Sequence, residues 1–272
     1  MTLPTLRRLT TSAALALAVS MPHDTLDAQV VDHGAFDRLL QTHVVNGLVN
    51  YDAFKASPEF SGYLRLLAAT NPAPLPRAEQ LAFWINAYNA YTIQLINVKG
   101  ERESIRNVNK SLGFLKFKGP WSEAFAVVGG KTYTLDDIEQ RIIRPTFREP
   151  RIHFALVCAA IGCPPLRSEA YTGARLEAQL HDQAVIFLTR SPSKNRVDVG
   201  NRTVYRSQVF SFSDYMNDFG GSESAVGRFI ARYYPAGPEK ALLESGEFSV
   251  VKTAYDWSLN SQANGRRLGL MR

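Results

Sequence analysis

The segment from Arg77 to Val98, RAEQLAFWINAYNAYTIQLINV, constrains the fold more than any other part of the chain. At helical spacing Trp84, Tyr88, Tyr91 and Leu95 share one face, while Ala82, Ile85, Ile93 and Ile96 lie largely opposite. A helix that is apolar nearly all round cannot rest on a surface, so the remaining chain has to wrap it. Asn86 and Asn89 interrupt that surface at i and i+3, on the same side. A buried amide without hydrogen-bond partners costs roughly 1–3 kcal/mol. The pair is therefore expected either to satisfy backbone groups of a neighbouring loop or to line a cleft.

The second constraining stretch is Arg151 to Leu166, RIHFALVCAAIGCPPL, which holds both cysteines of the chain. Continuous apolar character from Ile152 to Cys158 suits a strand buried on both faces. Gly162 and the pair Pro164-Pro165 then impose a turn. In a straight strand His153 and Cys158 would stand about 16 Å apart and on opposite faces. Cys163, after the turn, can fold back towards His153, and Arg144, Arg151 or Arg167 would lower a thiol pKa there. Asn86, Asn89 or Glu139 would then orient the imidazole as a general base. Alternatively the C-x4-C turn brings the two cysteines within the roughly 4.4–6.8 Å Cα separation of a disulfide, leaving His153 as a core residue. Zinc held by His153, Cys158 and Cys163 has suitable ligand types but no standard spacing. Asp214, Asp218 and Asp256 are further candidates for a third catalytic group, with capping or solvated roles as the plainer account.

The chain starts with a basic pair, Arg7-Arg8, an apolar run from Ala13 to Met21, and Ala28 as a small residue at a cleavage point. That is a secretory signal pattern over residues 1–28, too short for a membrane span of about 20 apolar residues. The protein is expected to be periplasmic or secreted, with no transmembrane helix in the mature chain. Residues 29–272 show no composition break or repeat and read as one domain. The formal charge of +6 is scattered. The densest basic stretch, Lys110 to Lys118, reads as a solvated loop, and no nucleic-acid motif accompanies it. Helices are expected from Phe36, Glu59, Gly173 and Ser222, with His33 and His43 facing solvent. Hairpins are expected around Gly129-Gly130 and Gly200-Asn201, and Thr134 is expected to cap a helix carrying Glu139. Ser213 opens a helical turn, and Phe248 to Leu259 reads as a final strand. Helices early and strands late favour an α+β class. There is no phosphate loop, dinucleotide fingerprint or Ser-centred elbow, and no cofactor is expected.

FWINAYNAYTIQL, RIHFALVCAAIGCPPL and the closing YDWSLN, in that order, resemble the family called domain of unknown function 547, over about residues 75–260. The resemblance implies a papain- or transglutaminase-like architecture: a buried central helix packed on a mainly antiparallel sheet. It implies no known activity. Thiol hydrolases and acyltransferases of that architecture carry a cysteine at the start of the central helix and a histidine on a following strand. Here the helix has no cysteine, Asn86 is the nearest polar candidate at that place, and His153 falls on a following strand.

Two functions remain open at this level. One is an exported thiol-dependent hydrolase or acyltransferase acting on amide bonds of peptide, protein or cell-wall material, with Cys163 or Cys158 as nucleophile and His153 as base. The other is a non-catalytic, disulfide-pinned domain that binds a peptide or protein.

Overall fold

The structure, a computed structural model, describes residues 30–108, 119–212 and 214–271. The expected signal segment over residues 1–28, the basic stretch Lys110–Lys118 and Ser213 lie outside the described residues. Helix α1 (Gly34–His43) leads through a hairpin, β1 (Val44–Val45) and β2 (Leu48–Val49), into α2 (Tyr51–Ala56) and α3 (Pro58–Ala69). Asn46 and Gly47 at the hairpin tip both have positive φ, 51° and 78°, which suits Asn-Gly in a tight reversal. A Cβ on Gly47 would stand 2.3 Å from the Cβ of Pro165, so that tip must be bare to meet the turn after the cysteines.

Helix α4 (Arg77–Lys99) is the helix expected from the apolar pattern, and Trp84, Ile85, Tyr88, Tyr91, Ile93 and Ile96 are all buried. It ends at Gly100, which takes the left-handed conformation open to glycine (φ 64°). Helices α2 and α3 pack on it. So does the hairpin of β3 (Ala126–Val128) and β4 (Lys131–Tyr133), where the Tyr91 hydroxyl donates to the Val127 carbonyl and Trp84 meets Tyr133 edge-on. Thr134 then caps the next element as expected. Its hydroxyl accepts from Asp137 N at 2.8 Å, and the Asp137 carboxylate accepts from Thr134 N at 3.0 Å. The capped element is a π-helical stretch, Asp137–Ile143, closed by an i→i+5 bond from Arg144 N to the Glu139 carbonyl. Short helix α5 (Arg144–Phe147) completes it.

The run after Pro150 corrects the expectation of a strand. Ile152–Ala155 is one helical turn, α6, and the chain becomes extended only at Leu156. A short apolar run flanked on both sides by core satisfies a strand or a buried helical turn equally well, and periodicity does not separate them. Ile152, Ala155, Leu156 and Val157 enter the hydrophobic cluster around α4, whereas Phe154 enters a second cluster with Phe187, Phe210, Phe219 and Phe229. His153 therefore sits on the seam between two cores.

Helix α7 (Leu176–Thr189) packs on α6, and strands β5 (Arg196–Asp198) and β6 (Thr203–Arg206) form the Gly200-Asn201 hairpin. The turn α8 (Tyr215–Asp218) precedes α9 (Glu223–Ala231), which Ser222 caps, and α10 (Pro238–Ser245). Strand β7 (Ser249–Lys252) joins β6 in parallel, and α11 (Gln262–Arg267) closes the described chain. The α+β class and the buried central helix hold. In place of one sheet, the described residues form two two-stranded hairpins and one three-stranded sheet, and three of the four strand pairings are antiparallel. Nor is Phe248–Leu259 one strand. Beyond β7, Ser258, Leu259 and Ser261 form isolated bridges to Ser104, Ala160 and Val49 of β2.

His33, expected at the surface, is buried with its Nδ1 2.7 Å from the Tyr63 hydroxyl. Burial pushes its pKa down to about 4 from an ordinary 6.5, against a smaller pull from Asp32. The unfolded chain thus binds this proton more tightly, so the stability it contributes is present above pH 6.5 and lost as pH falls towards 4. The loss by pH 4 should be on the order of 3 kcal/mol. Urea titrations of His33→Gln across this range should show a flatter acid limb than wild type; equal slopes would contradict the assignment.

Candidate functional site

Three segments that carry sequence motifs meet at one place. The α4 amides face the backbone on either side of the cysteine turn. Asn89 Nδ2 donates to the Ala155 carbonyl at 2.9 Å and its Oδ1 accepts from Val157 N at 3.0 Å. Asn86 does the same to Tyr171, donating to its carbonyl at 2.7 Å and accepting from its N–H at 2.9 Å. Both amides are spent on backbone, so neither orients the imidazole; of the two roles open to them, the structural one is observed. The closing YDWSLN segment holds the cysteine turn from the other side, with Ile161 N donating to the Ser258 carbonyl and Gly162 N to the Asp256 carbonyl, each at 2.8 Å. A Cβ on Gly162 would lie 2.9 Å from both Asp256 N and the Tyr255 ring, which is why glycine is needed there.

Cys158 and Cys163 are bonded to each other, with Cα atoms 6.2 Å apart. Neither sulfur is then a thiolate, which removes both as ready nucleophiles and as zinc ligands. Inside the closed loop Ala159 takes a left-handed backbone (φ 62°), a conformation that costs a side-chain-bearing residue roughly 1–2 kcal/mol. The disulfide and the bond from Asn260 N to the Ala159 carbonyl, 3.0 Å, hold it there.

His153 is buried, and its Nε2 lies 2.7 Å from Asp218 Oδ2. Asp218 is in turn gripped by Arg144, through Nε at 2.7 Å and Nη2 at 3.0 Å, while Arg144 Nη1 reaches Asp214 at 2.7 Å. Burial opposes ionisation of Asp218, but the hydrogen bonds from His153 and Arg144 outweigh it and hold the carboxyl at about 2. Facing an ionised carboxylate, Nε2 is the donor. Tyr215 stacks on the imidazole at 4.0 Å between centroids, and its hydroxyl donates to Glu139 Oε1.

The other ring nitrogen, Nδ1, is buried with no hydrogen-bond partner among the described residues; Glu139 Oε1 is 3.7 Å away, beyond hydrogen-bond reach. Burial raises the Glu139 pKa above its ordinary value, against opposing effects of the His153 charge and the Tyr215 hydrogen bond. The folded state therefore holds that proton more tightly than the unfolded chain, and its advantage is lost as pH rises from 4.5 through the raised value. Glu139→Gln removes this penalty. Its melting temperature should exceed wild type at pH 8 and match it at pH 4; a lower value at pH 8 would contradict the burial argument.

Imidazole, Glu139 and the disulfide line one cavity of about 190 Å3. Its walls are aromatic: Tyr88, Trp121, Phe212, Tyr215, Tyr255 and Trp257. The charged side chains lining it, Asp136 and Glu139, are both acidic, and the described lining holds no Ser, Thr, Lys or Arg. Such a site can orient and polarise a bound group, and exchange a proton through Nδ1 or Glu139, but its described lining offers no free thiol, aliphatic hydroxyl or amine as nucleophile.

Of the residues singled out from sequence, the structure brings together His153, Glu139, Cys158 and Cys163, and adds Asp218, while Asn86 and Asn89 stand behind as backbone clamps. Tyr88, Trp121, Tyr215, Tyr255 and Trp257 were not anticipated as site residues. Tyr88 and the Tyr255–Trp257 pair lie within motif segments, which was the available signal.

No curated protein and no solved structure matches the chain. The similarity lies in its central part, which includes α4, the Glu139 π-helical stretch and the whole cysteine turn: residues 72–188 match the family model described as Protein of unknown function, DUF547.

Proposed function

We propose that this is an exported, disulfide-pinned binding domain whose cavity takes one side chain or one end of a peptide-type ligand. The observation that carries the reading is the bond between Cys158 and Cys163, which leaves an oriented imidazole with no thiol to activate. The cavity is smaller than the roughly 300–1,000 Å3 of sites that enclose drug-sized molecules, which favours insertion of a single group. Acidic lining and aromatic walls favour a neutral or cationic group, such as an amine or amide, over a carboxylate. The architecture is read as papain- or transglutaminase-like with the helix thiol missing. The buried α4 precedes the histidine in the chain, which supports that reading.

A second reading rests on the unpartnered Nδ1. His153 and Asp218 are arranged as a general base and its orienting carboxylate, and Glu139, with its raised pKa, is a candidate acid. With water as nucleophile the same cavity would hydrolyse an amide.

Trp121 and Trp257 line the cavity, so their fluorescence reports occupancy. Titration with short peptides and soluble cell-wall peptide fragments should give a saturable change that Glu139→Gln weakens, with no new amine termini released. Release of amines, abolished in His153→Ala, would support the hydrolytic reading. Absence of any saturable response would contradict the binding reading.

A further inference from the structure

We propose that the Cys158–Cys163 disulfide is a thiol–disulfide exchange site for a small neutral or cationic thiol entering the cavity. The inference rests on the reading that the cavity admits a ligand, and extends it to a chemical step. Both sulfurs line the cavity, but unequally: Cys158 is half-buried, while Cys163 is only 1% exposed. An incoming thiolate therefore meets Cys158 first, and Cys163 becomes the leaving group.

The surroundings of the Cys163 sulfur suit that role. The backbone N–H of Cys158 points at it from 3.2 Å, and the Tyr255 hydroxyl lies 3.1 Å from each sulfur. Burial pushes the Tyr255 phenol well above its ordinary pKa, so it stays a proton-bearing donor. The Lys194 ammonium donates to the Cys163 carbonyl and so anchors the backbone of that residue. Hydrogen-bond donors at a sulfur stabilise it as thiolate and speed its departure. The Cys158 N–H is fixed on the sulfur that leaves, and the Tyr255 hydroxyl, equidistant from both sulfurs, is free to turn its proton to that sulfur as charge develops.

In the first step a thiolate RS− bonds to Cys158 Sγ while the Cys158–Cys163 bond breaks, and its electron pair goes to Cys163 Sγ. A second thiolate then attacks the external sulfur of the mixed disulfide, breaking its bond to Cys158, which leaves as thiolate, and RSSR is released. Two external thiols are oxidised, and the protein disulfide gains two electrons and two protons. Because the charged lining is acidic, a cationic thiol is admitted more readily than an anionic one of the same size.

Native protein should be treated separately with cysteamine and with 3-mercaptopropionate, quenched in acid, and mapped by mass spectrometry, with each rate normalised to a small-molecule disulfide. The expected result is a mixed disulfide on Cys158, formed at a rate unchanged by denaturant well below the unfolding transition, and several-fold faster with cysteamine. Tyr255→Phe should slow it by about five-fold, the effect of losing one hydrogen bond to the leaving sulfur. Adducts on Cys163, reaction only at the rate of global unfolding, or equal normalised rates for the two thiols would overturn the proposal without need of the variant. An inert disulfide in a protein that still shows saturable peptide binding overturns this inference alone. Rapid exchange in a protein that binds no peptide overturns the peptide-binding reading and leaves this one standing.

Discussion

Asn89→Ala is expected to destabilise the protein by about 3 kcal/mol, among the larger effects of any polar substitution in the chain. The alanine strands two buried backbone groups, the Ala155 carbonyl and the Val157 N–H, both of which the amide now satisfies. Each costs roughly 1–3 kcal/mol when left unpaired. The midpoint of urea unfolding should fall with little change in slope, since the surface exposed on unfolding is unaltered. Because those groups flank the end of α6, peptide affinity should drop as well. Asn86→Ala should behave alike in stability through Tyr171, and less in binding, because its clamp lies away from the imidazole. A loss below about 1 kcal/mol for Asn89→Ala would mean that the backbone finds other partners, and the clamp account would fail.

Phe154→Ala should cost more, about 3–5 kcal/mol, the usual range for truncating a fully buried phenylalanine. Phe154 has no exposed surface and contacts the rings of Phe187, Phe210, Phe219 and Phe229. Phe219 also lies 5.5 Å from the imidazole of His153. Emptying the 154 position therefore loosens the second core and the back wall of the site together. Denaturant unfolding measures the first effect, and the fluorescence response to peptide measures the second. Glu139→Gln, by contrast, should weaken binding while raising stability at pH 8. If Phe154→Ala costs less than about 1 kcal/mol, the cluster is not organised as described.

Much of the fold was legible where one physical requirement dominated. The wrapping of α4 followed from apolar residues on every face, and the Thr134–Asp137 cap and both Gly-centred hairpins followed from local backbone chemistry. The disulfide was one of the alternatives that the C-x4-C turn left open. What failed was whatever depends on distant neighbours. The 152–155 turn reads as a strand in sequence because burial on both sides erases periodicity. His33 reads as solvent-facing because its partner, Tyr63, is thirty residues away. Asp218 stood among three candidate aspartates, and only folding brings it, across 65 positions, to His153. The resemblance singled out the right segments, yet it did not disclose that the helix amides clamp backbone rather than face the imidazole.

The state of the two cysteines bears most directly on the account. The protein, purified without reductant, should be alkylated in denaturant before and after reduction and weighed intact. The account predicts no alkylation before reduction and two adducts after it, consistent with a bonded pair and a site without a resident thiol. One or two adducts before reduction would contradict it, and would return Cys158 or Cys163 to His153 as a nucleophile.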